Sequence, residues 1–220
     1  MIITTQMKVL GIEKLKRGKK FRVFLEGDSQ IEVSQDVLVD FGLRRGDDLT
    51  PDVVKHIKKA QNYHDAYSAG LRLINFRQRT RLELYRRLAQ KGFDRTTIDK
   101  VVQRFSQLGL VNDEEFAKAF VNIGSTGKLL GKRSLLYKLR EKGVDSETAE
   151  KALKEVESDE KQMAIAIEAA KRKLKRLSDD RIEKKIEKLS AFLVNRGFEW
   201  DIVKKVVTKL LPGNLDDESF

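Results

Sequence analysis

The sequence has 220 residues, of which 40% are apolar and 36% charged, so a packed core is attainable but thin. The absence of cysteine excludes disulfides and thiolate metal sites. No apolar run reaches the roughly 20 residues of a membrane helix, and the N-terminus lacks signal-peptide features, so we expect a cytoplasmic protein without membrane contact. A net charge of +11 is typical of proteins with a polyanionic partner, most often nucleic acid, and the equally weighted alternative is a soluble protein that happens to be basic.

The first 62 residues are predicted to form an extension containing a small antiparallel sheet. Apolar and polar residues alternate within Met7–Val33, and two turn-like segments, 16–19 and 26–29, divide that stretch. The pattern predicts two or three strands.

Helices are predicted to follow the sheet. A short helix is expected over Asp36–Phe41 and should end at Gly42. Thr50 and Pro51 are typical of a helix start, and that helix is expected to run to about Asn62.

An internal repeat is the strongest signal in the rest of the chain. Segments 84–94, 135–145 and 189–199 align on Gly92, Gly143 and Gly197. Each has leucine eight and four residues before the glycine, a base immediately before it, an apolar residue after it and an acid two residues after it. Leucines four apart share one helix face, and we expect each glycine to end that helix with a positive φ.

These patterns predict a mainly α-helical fold of three tandem three-helix, helix-turn-helix-like repeats in an elongated, curved array, preceded by the small β segment. The predicted repeats cover residues 63–111, 112–158 and 159–211, and an acidic tail covers 212–220. About 50 residues bury little core alone, so stacking of neighbouring repeats should stabilise each unit.

Basic residues form three groups that are candidates for binding a polyanion or an acidic partner. The first repeat is the most basic, with 10 bases against 4 acids over residues 61–110. The repulsion within such a group favours a polyanion or an acidic partner, and the alternative is a solvated helix face. Because Leu84 and Leu88 define the buried stripe, Arg79, Arg86 and Arg87 are predicted to face solvent. The candidates are Arg77, Arg79, Arg81, Arg86, Arg87 and Lys91; then Lys128, Lys132 and Arg133; and finally Lys171, Arg172 and Lys175. The second group lies near Gly127 and Gly131, which predict a flexible loop entering the middle helix of the second repeat. For the third group the solvated helix face is favoured.

No catalytic, cofactor or metal site is predicted, and we expect the protein not to be an enzyme. The two histidines, His56 and His64, have no metal-site pattern around them. The segment Gly124–Gly127 lacks the spacing of a phosphate-binding loop. For Trp200, core packing is favoured over base stacking.

Three motifs resemble the bacterial RecX regulators of the recombinase RecA. Residues 79–93, which include Arg79-Thr80-Arg81-Leu82-Glu83-Leu84 and Lys91-Gly92-Phe93, resemble the family's R-S-x-x-E-L … L-x-x-K-G signature, with threonine in place of serine. Leu108–Ala117 resembles its L-G-L-[I/L]-[D/N]-D-E-x-F-A motif, and residues 131–135 resemble the start of its second basic helix, without the proline that often follows the glycine. The resemblance covers about residues 63–211.

The resemblance implies a function that composition alone does not give. Such proteins bind RecA–DNA filaments along the groove and lower ATPase activity and strand exchange, so the implied partners are the RecA filament and, weakly and with salt dependence, single-stranded or duplex DNA. A monomer is expected. The alternative function is a helix-turn-helix module that acts on naked DNA.

Overall fold

A computed structural model describes residues 6–16, 19–156, 158–177 and 181–212. It divides the chain into two compact units: residues 1–77 with 84–110, and residues 78–83 with 111–220. The helices and strands below are numbered along the chain, and each unit is described by itself.

The N-terminal extension is a four-stranded antiparallel sheet in the order β3-β2-β1-β4. The strands are β1 (Met7–Lys14), β2 (Lys20–Leu25), β3 (Ser29–Ser34) and β4 (Asp48–Leu49). Between β2 and β3 the chain turns through Gly27 and Asp28, both with positive φ, which confirms that predicted turn. The other predicted turn lies partly outside the described residues. The two-residue strand β4 was not predicted, because a strand this short carries no alternating pattern.

Two helices follow, and side-chain caps set where they begin. Helix α1 (Gln35–Asp40) is capped by Ser34, and Gly42 follows it with a φ of +60°, which confirms the predicted stop. Helix α2 (Pro51–Phe76) begins at the predicted cap, where the Thr50 hydroxyl accepts a hydrogen bond from a first-turn backbone N–H.

The prediction that this helix ends near Asn62 is wrong. Helix α2 continues for 26 residues, since no glycine or proline interrupts it before Gly70. Its first half packs Val54 and Ile57 into the core of the β-sheet, and its second half buries Ala66 and Ala69. One helix therefore belongs to both the β extension and the first repeat.

The first repeat is completed by α3 (Arg81–Ala89) and α4 (Arg95–Gln107). Leu84 and Leu88 are fully buried, as the predicted stripe required. Tyr67 of α2 meets Phe105 of α4 edge to face, with ring centroids 4.8 Å apart. Gly70 permits this close approach, because a Cβ there would lie 2.8 Å from the Phe105 ring.

The second unit contains the other two repeats. The second repeat has α5 (Asp113–Asn122), a π-helical turn (Ile123–Gly127), α6 (Lys132–Glu141), α7 (Ser146–Leu153) and a short 3₁₀ turn (Lys154–Val156). The third repeat has α8 (Asp159–Leu174), α9 (Ile182–Asn195) and α10 (Trp200–Leu210). Each repeat has its own cluster of buried apolar side chains.

The repeat glycines adopt the predicted conformation. Gly92, Gly143 and Gly197 have φ values of +88°, +80° and +84° just after α3, α6 and α9. Their surroundings differ. A Cβ at Gly92 would meet no atom within 4 Å, whereas one at Gly143 would collide with Leu82, and one at Gly197 would collide with the backbone of Ser134.

These collisions mark two joints in the second unit, where the start of one repeat's middle helix docks on the end of the next. In the first joint, the Thr80 hydroxyl donates a 2.6 Å hydrogen bond to the carbonyl of Lys142, the residue before Gly143. In the second, the Gly131 N–H donates a 2.8 Å hydrogen bond to the carbonyl of Arg196, the residue before Gly197. Thr80 and Gly131 occupy equivalent positions in the repeat. In both joints, therefore, the carbonyl before the repeat glycine accepts a hydrogen bond from this position, from a hydroxyl in the first joint and from a backbone N–H in the second.

Candidate polyanion interface

The first basic group does not form one exposed face. Arg79 is only 7% exposed, so its predicted solvent position is wrong. It lies in the non-helical connector between α2 and α3, where the helical spacing of Leu84 and Leu88 does not apply. Arg77, at the C-cap of α2, is exposed.

Arg81 is engaged in a structural ion pair. Its backbone N–H and its Nε donate hydrogen bonds of 2.9 and 3.2 Å to the carboxylate of Asp113. Asp113 is almost completely buried in the first turn of α5, so removing Arg81 would leave a buried carboxylate poorly compensated. Arg81 therefore fixes the start of α3 rather than offering an uncompensated charge.

The remaining members of the first group are exposed. Arg86 and Arg87 are exposed on α3, on the side opposite the buried leucines, as predicted. The Arg87 guanidinium reaches Gln90 at 3.1 Å, which leaves its charge uncompensated by that contact. Lys91 is also exposed and lines a cleft beside the β-sheet.

Arg196 connects the second and third basic groups, although the sequence did not single it out. Its guanidinium donates hydrogen bonds to the carbonyls of Lys128 and Leu129, and it lies 4.6 Å from the centre of the Phe192 ring. Burial lowers the pKa of Arg196, and the positive charge of Arg172 lowers it further. The sequence feature that could have identified Arg196 is the base that precedes the repeat glycine in all three repeats.

Lys173 adds a further cation to this surface, with its ammonium 5.5 Å from the centre of the Phe192 ring. Two cations therefore share one aromatic ring. Arg172 is paired with Glu168 on the same helix, at 2.5 Å, while Lys171 and Lys175 are exposed. We call Lys171, Arg172, Lys173, Lys175 and Arg196 the Arg196 patch.

The segment before α6, predicted to be a flexible loop, forms a hydrogen-bonded turn. Ser125 and Thr126 donate to backbone carbonyls one turn earlier, and Gly131 is buried against Gly197, where a Cβ would lie 2.5 Å from the backbone. Lys128 and Arg133 are exposed, and Lys132 is half-buried. Glycine is needed at 131 for this close packing rather than for mobility.

The histidines have ordinary hydrogen-bond partners. His56 Nδ1 lies 2.7 Å from the Asp52 carbonyl, and His64 Nε2 lies 2.8 Å from the Asp36 carboxylate. Within the part of the chain that the structure describes, no group of three potential ligands could hold a metal ion, and no helix is long and apolar enough to cross a membrane.

Trp200 is the other site where the prediction was wrong. It is 43% exposed rather than packed in the core. It is the first residue of α10, ahead of the buried stripe that begins at Ile202.

Comparison with known proteins supplies the family. The models of the first, second and third RecX three-helix domains match residues 66–105, 112–153 and 159–207. A regulatory protein RecX from Chlorobium limicola is 32% identical over 147 residues, which cover 67% of this chain and 90% of the relative.

The chain belongs to the RecX family. A regulatory protein RecX from Streptococcus uberis is 28% identical over 214 residues, covering 97% of this chain and 79% of the relative. A crystal structure of a regulatory protein RecX shares the fold, with a TM-score of 0.68 over 91% of this chain and 98% of that one at 22% identity. A RecX regulatory role follows, and this is not a known family of enzymes.

The joints explain the RecX-like motifs of this chain. Arg81 of the first motif binds Asp113 of the second, and Asn112 in the second motif caps α5 through two backbone N–H groups. Glu83 of the first motif pairs with Lys142 at 2.6 Å. These motif residues make structural contacts within the second unit, whereas the exposed Arg86 and the Arg196 patch lie outside these contacts.

Proposed function

We propose that this RecX-family chain regulates RecA by binding the RecA–DNA filament, and that it lowers the filament's ATPase activity and strand exchange. Two findings support this proposal: all three RecX three-helix domains are present, and the relatives are named regulatory proteins. Regulation by binding requires a surface complementary to the filament, which presents DNA phosphates and recombinase side chains.

The Arg196 patch is the observation that carries the proposal. Lys173 and Arg196 share the Phe192 ring, Arg172 acts electrostatically on Arg196, and Glu168 pairs with Arg172. Burial first, and the positive charge of Arg172 second, lower the pKa of Arg196, so the unbound surface holds a partly desolvated cation beside another cation. A phosphate or carboxylate placed here would relieve the repulsion between these cations, so binding of an anionic partner gains free energy.

A helix-turn-helix reader of naked DNA is less well supported. A recognition helix presents donors to base edges in the major groove, and its flanks contact phosphates. In the second repeat, the last helix α7 exposes Glu147 and Glu150, and Lys151 is paired with Glu147 at 2.6 Å. Carboxylates on that helix would repel DNA phosphates.

Charge reversal tests the proposal. In the first variant, Arg86 and Arg87 of α3 are both changed to glutamate. In the second variant, Lys171 and Lys175 of the Arg196 patch are changed in the same way. Both pairs are exposed, so the fold should survive, while filament affinity should fall at least about tenfold because attraction becomes repulsion.

The matched control reverses Lys55 and Lys59, two exposed lysines one turn apart on α2, and changes the net charge by the same amount. Binding is measured by fluorescence anisotropy on labelled single strand coated with recombinase, and ATP hydrolysis is followed in parallel. Equal losses of filament affinity in all three variants would indicate that net charge, rather than a specific binding surface, determines the affinity. Full inhibition by both test variants would contradict the proposal.

A further inference from the structure

The repeat joint occurs twice in the second unit. In both joints, the start of one middle helix packs against the end of the middle helix of the next repeat. Thr80 caps α3, and its hydroxyl donates a hydrogen bond to the Lys142 carbonyl. Glu83, in the same turn, forms an ion pair with the Lys142 ammonium. Gly131 precedes α6, and its backbone N–H donates a hydrogen bond to the Arg196 carbonyl. Each joint therefore presents a carbonyl and a cation from the residue before the repeat glycine.

The equivalent corner of the first repeat is open. Lys91 precedes Gly92 as Lys142 precedes Gly143, yet a Cβ at Gly92 would meet nothing within 4 Å. Among the residues that the structure describes, none donates a hydrogen bond to the Lys91 carbonyl or pairs with its ammonium. The first repeat has no preceding repeat to close this corner.

A cleft of about 920 Å³ lies at this corner, within the first unit, and its charges are unbalanced. It is lined by four bases, which are Lys19, Lys20, Arg72 and Lys91, and by two acids, Asp36 and Asp65. Both acids are engaged, Asp65 with Lys20 at 2.9 Å and Asp36 with His64 at 2.8 Å. No described residue pairs with Lys19, Arg72 or Lys91.

We infer that this open corner binds the acidic N-terminal turn of a helix from a partner protein. The filled joints supply the chemistry. In both, an N-cap residue donates a hydrogen bond to the carbonyl before the repeat glycine, and in the first joint Glu83 also supplies a carboxylate for the Lys142 ammonium, the counterpart of the Lys91 ammonium. The unpaired Lys19 and Arg72 select a segment with further carboxylates in its first turn, where acids also stabilise their own helix.

Two other occupants fit less well. A bare phosphate chain supplies no donor for the Lys91 carbonyl and faces the negative end of α3. A second copy of this chain would present α9, the middle helix of its third repeat. There the alignment on the repeat glycine places Lys188, inside the helix, at the position of Glu83, so lysine would meet lysine. Charge therefore opposes head-to-tail polymerisation through this corner.

The test uses the full chain and a synthetic capped peptide of about 15 residues, with threonine at its N-cap, glutamates in its first turn and an alanine-rich remainder. Binding is followed by the backbone amide NMR signals of the labelled protein. We expect the shifts to concentrate at residues 91–93 and in the cleft. The combined variant Lys91→Gln with Arg72→Gln should weaken binding at least about tenfold, while Lys100→Gln, an exposed lysine on α4 outside the cleft lining, should leave it unchanged.

A peptide with glutamine in place of every glutamate keeps the protein intact and tests the carboxylate requirement directly. Equal binding of both peptides would overturn the inference, as would a peptide that shifts no amide around Gly92. Oligothymidylate that shifts these amides where the peptide does not would show a nucleic-acid site instead. Neither recombinase nor ATP is present, so the outcome is independent of the proposed regulatory function.

Discussion

Replacing Gly143 by alanine measures how strongly the first joint stabilises the protein. Alanine in the left-handed conformation costs about 1–2 kcal/mol, whatever its surroundings. At Gly143 the new Cβ would also lie 2.5 Å from the Leu82 Cβ, so the joint must shift or open. Such overpacking adds about 1–3 kcal/mol, which brings the expected loss to about 2–5 kcal/mol.

Gly92→Ala is the matched control, because Gly92 has nearly the same φ but open space around its Cβ. It should cost only the backbone strain, about 1–2 kcal/mol. Both variants are compared by urea unfolding, and amide exchange of residues 80–83 reports local opening of the joint. If the two variants lose equal stability and residues 80–83 exchange equally slowly, the joint contact contributes nothing and the argument fails.

Three further results are expected. Arg79→Glu should lower the unfolding free energy by about 2 kcal/mol or more, since it places an acid in a buried position, whereas Arg86→Glu at the exposed surface should cost a few tenths. Hydrogen bonds from the threonine three residues on lower the pKa of Asp94 and of Asp145 below 3.8. The stabilisation by these ionised caps is therefore complete above the carboxyl pKa of the unfolded chain, and it is lost as the pH falls through the lower pKa of the folded protein. The urea midpoint should decrease below about pH 4, and it should decrease less in a variant with asparagine at both positions. Binding to naked single-stranded DNA should fall at least about tenfold between about 50 and about 200 mM salt, and an affinity that stays constant would exclude phosphate contacts.

The repeats and their helix ends could be predicted because local chemistry sets them. Leucines four residues apart identified the buried stripe of α3, and the repeat glycines identified the positive φ after α3, α6 and α9. The caps at Thr50 and Asn112 likewise depend on residues within one turn. Such short-range preferences are visible in a single sequence.

The surface could be predicted only in part, because exposure depends on contacts between distant segments. Arg79 and Arg81 look like surface bases in sequence, yet one is buried and the other binds Asp113, 32 residues away. Arg196 looks like one base among many until its contacts with Lys128 and Phe192 are known. The length of α2 was missed because nothing in the sequence marks the point where it passes from one core to the next.

The central claim is that this chain acts on the RecA–DNA filament rather than on DNA alone. The most direct test titrates the protein against the same labelled single strand, naked and coated with recombinase, at one physiological salt concentration. The account predicts binding at least about tenfold tighter to the coated strand, with loss of ATPase activity over the same concentration range. Equal or tighter binding to the naked strand, without any effect on ATP hydrolysis, would contradict it.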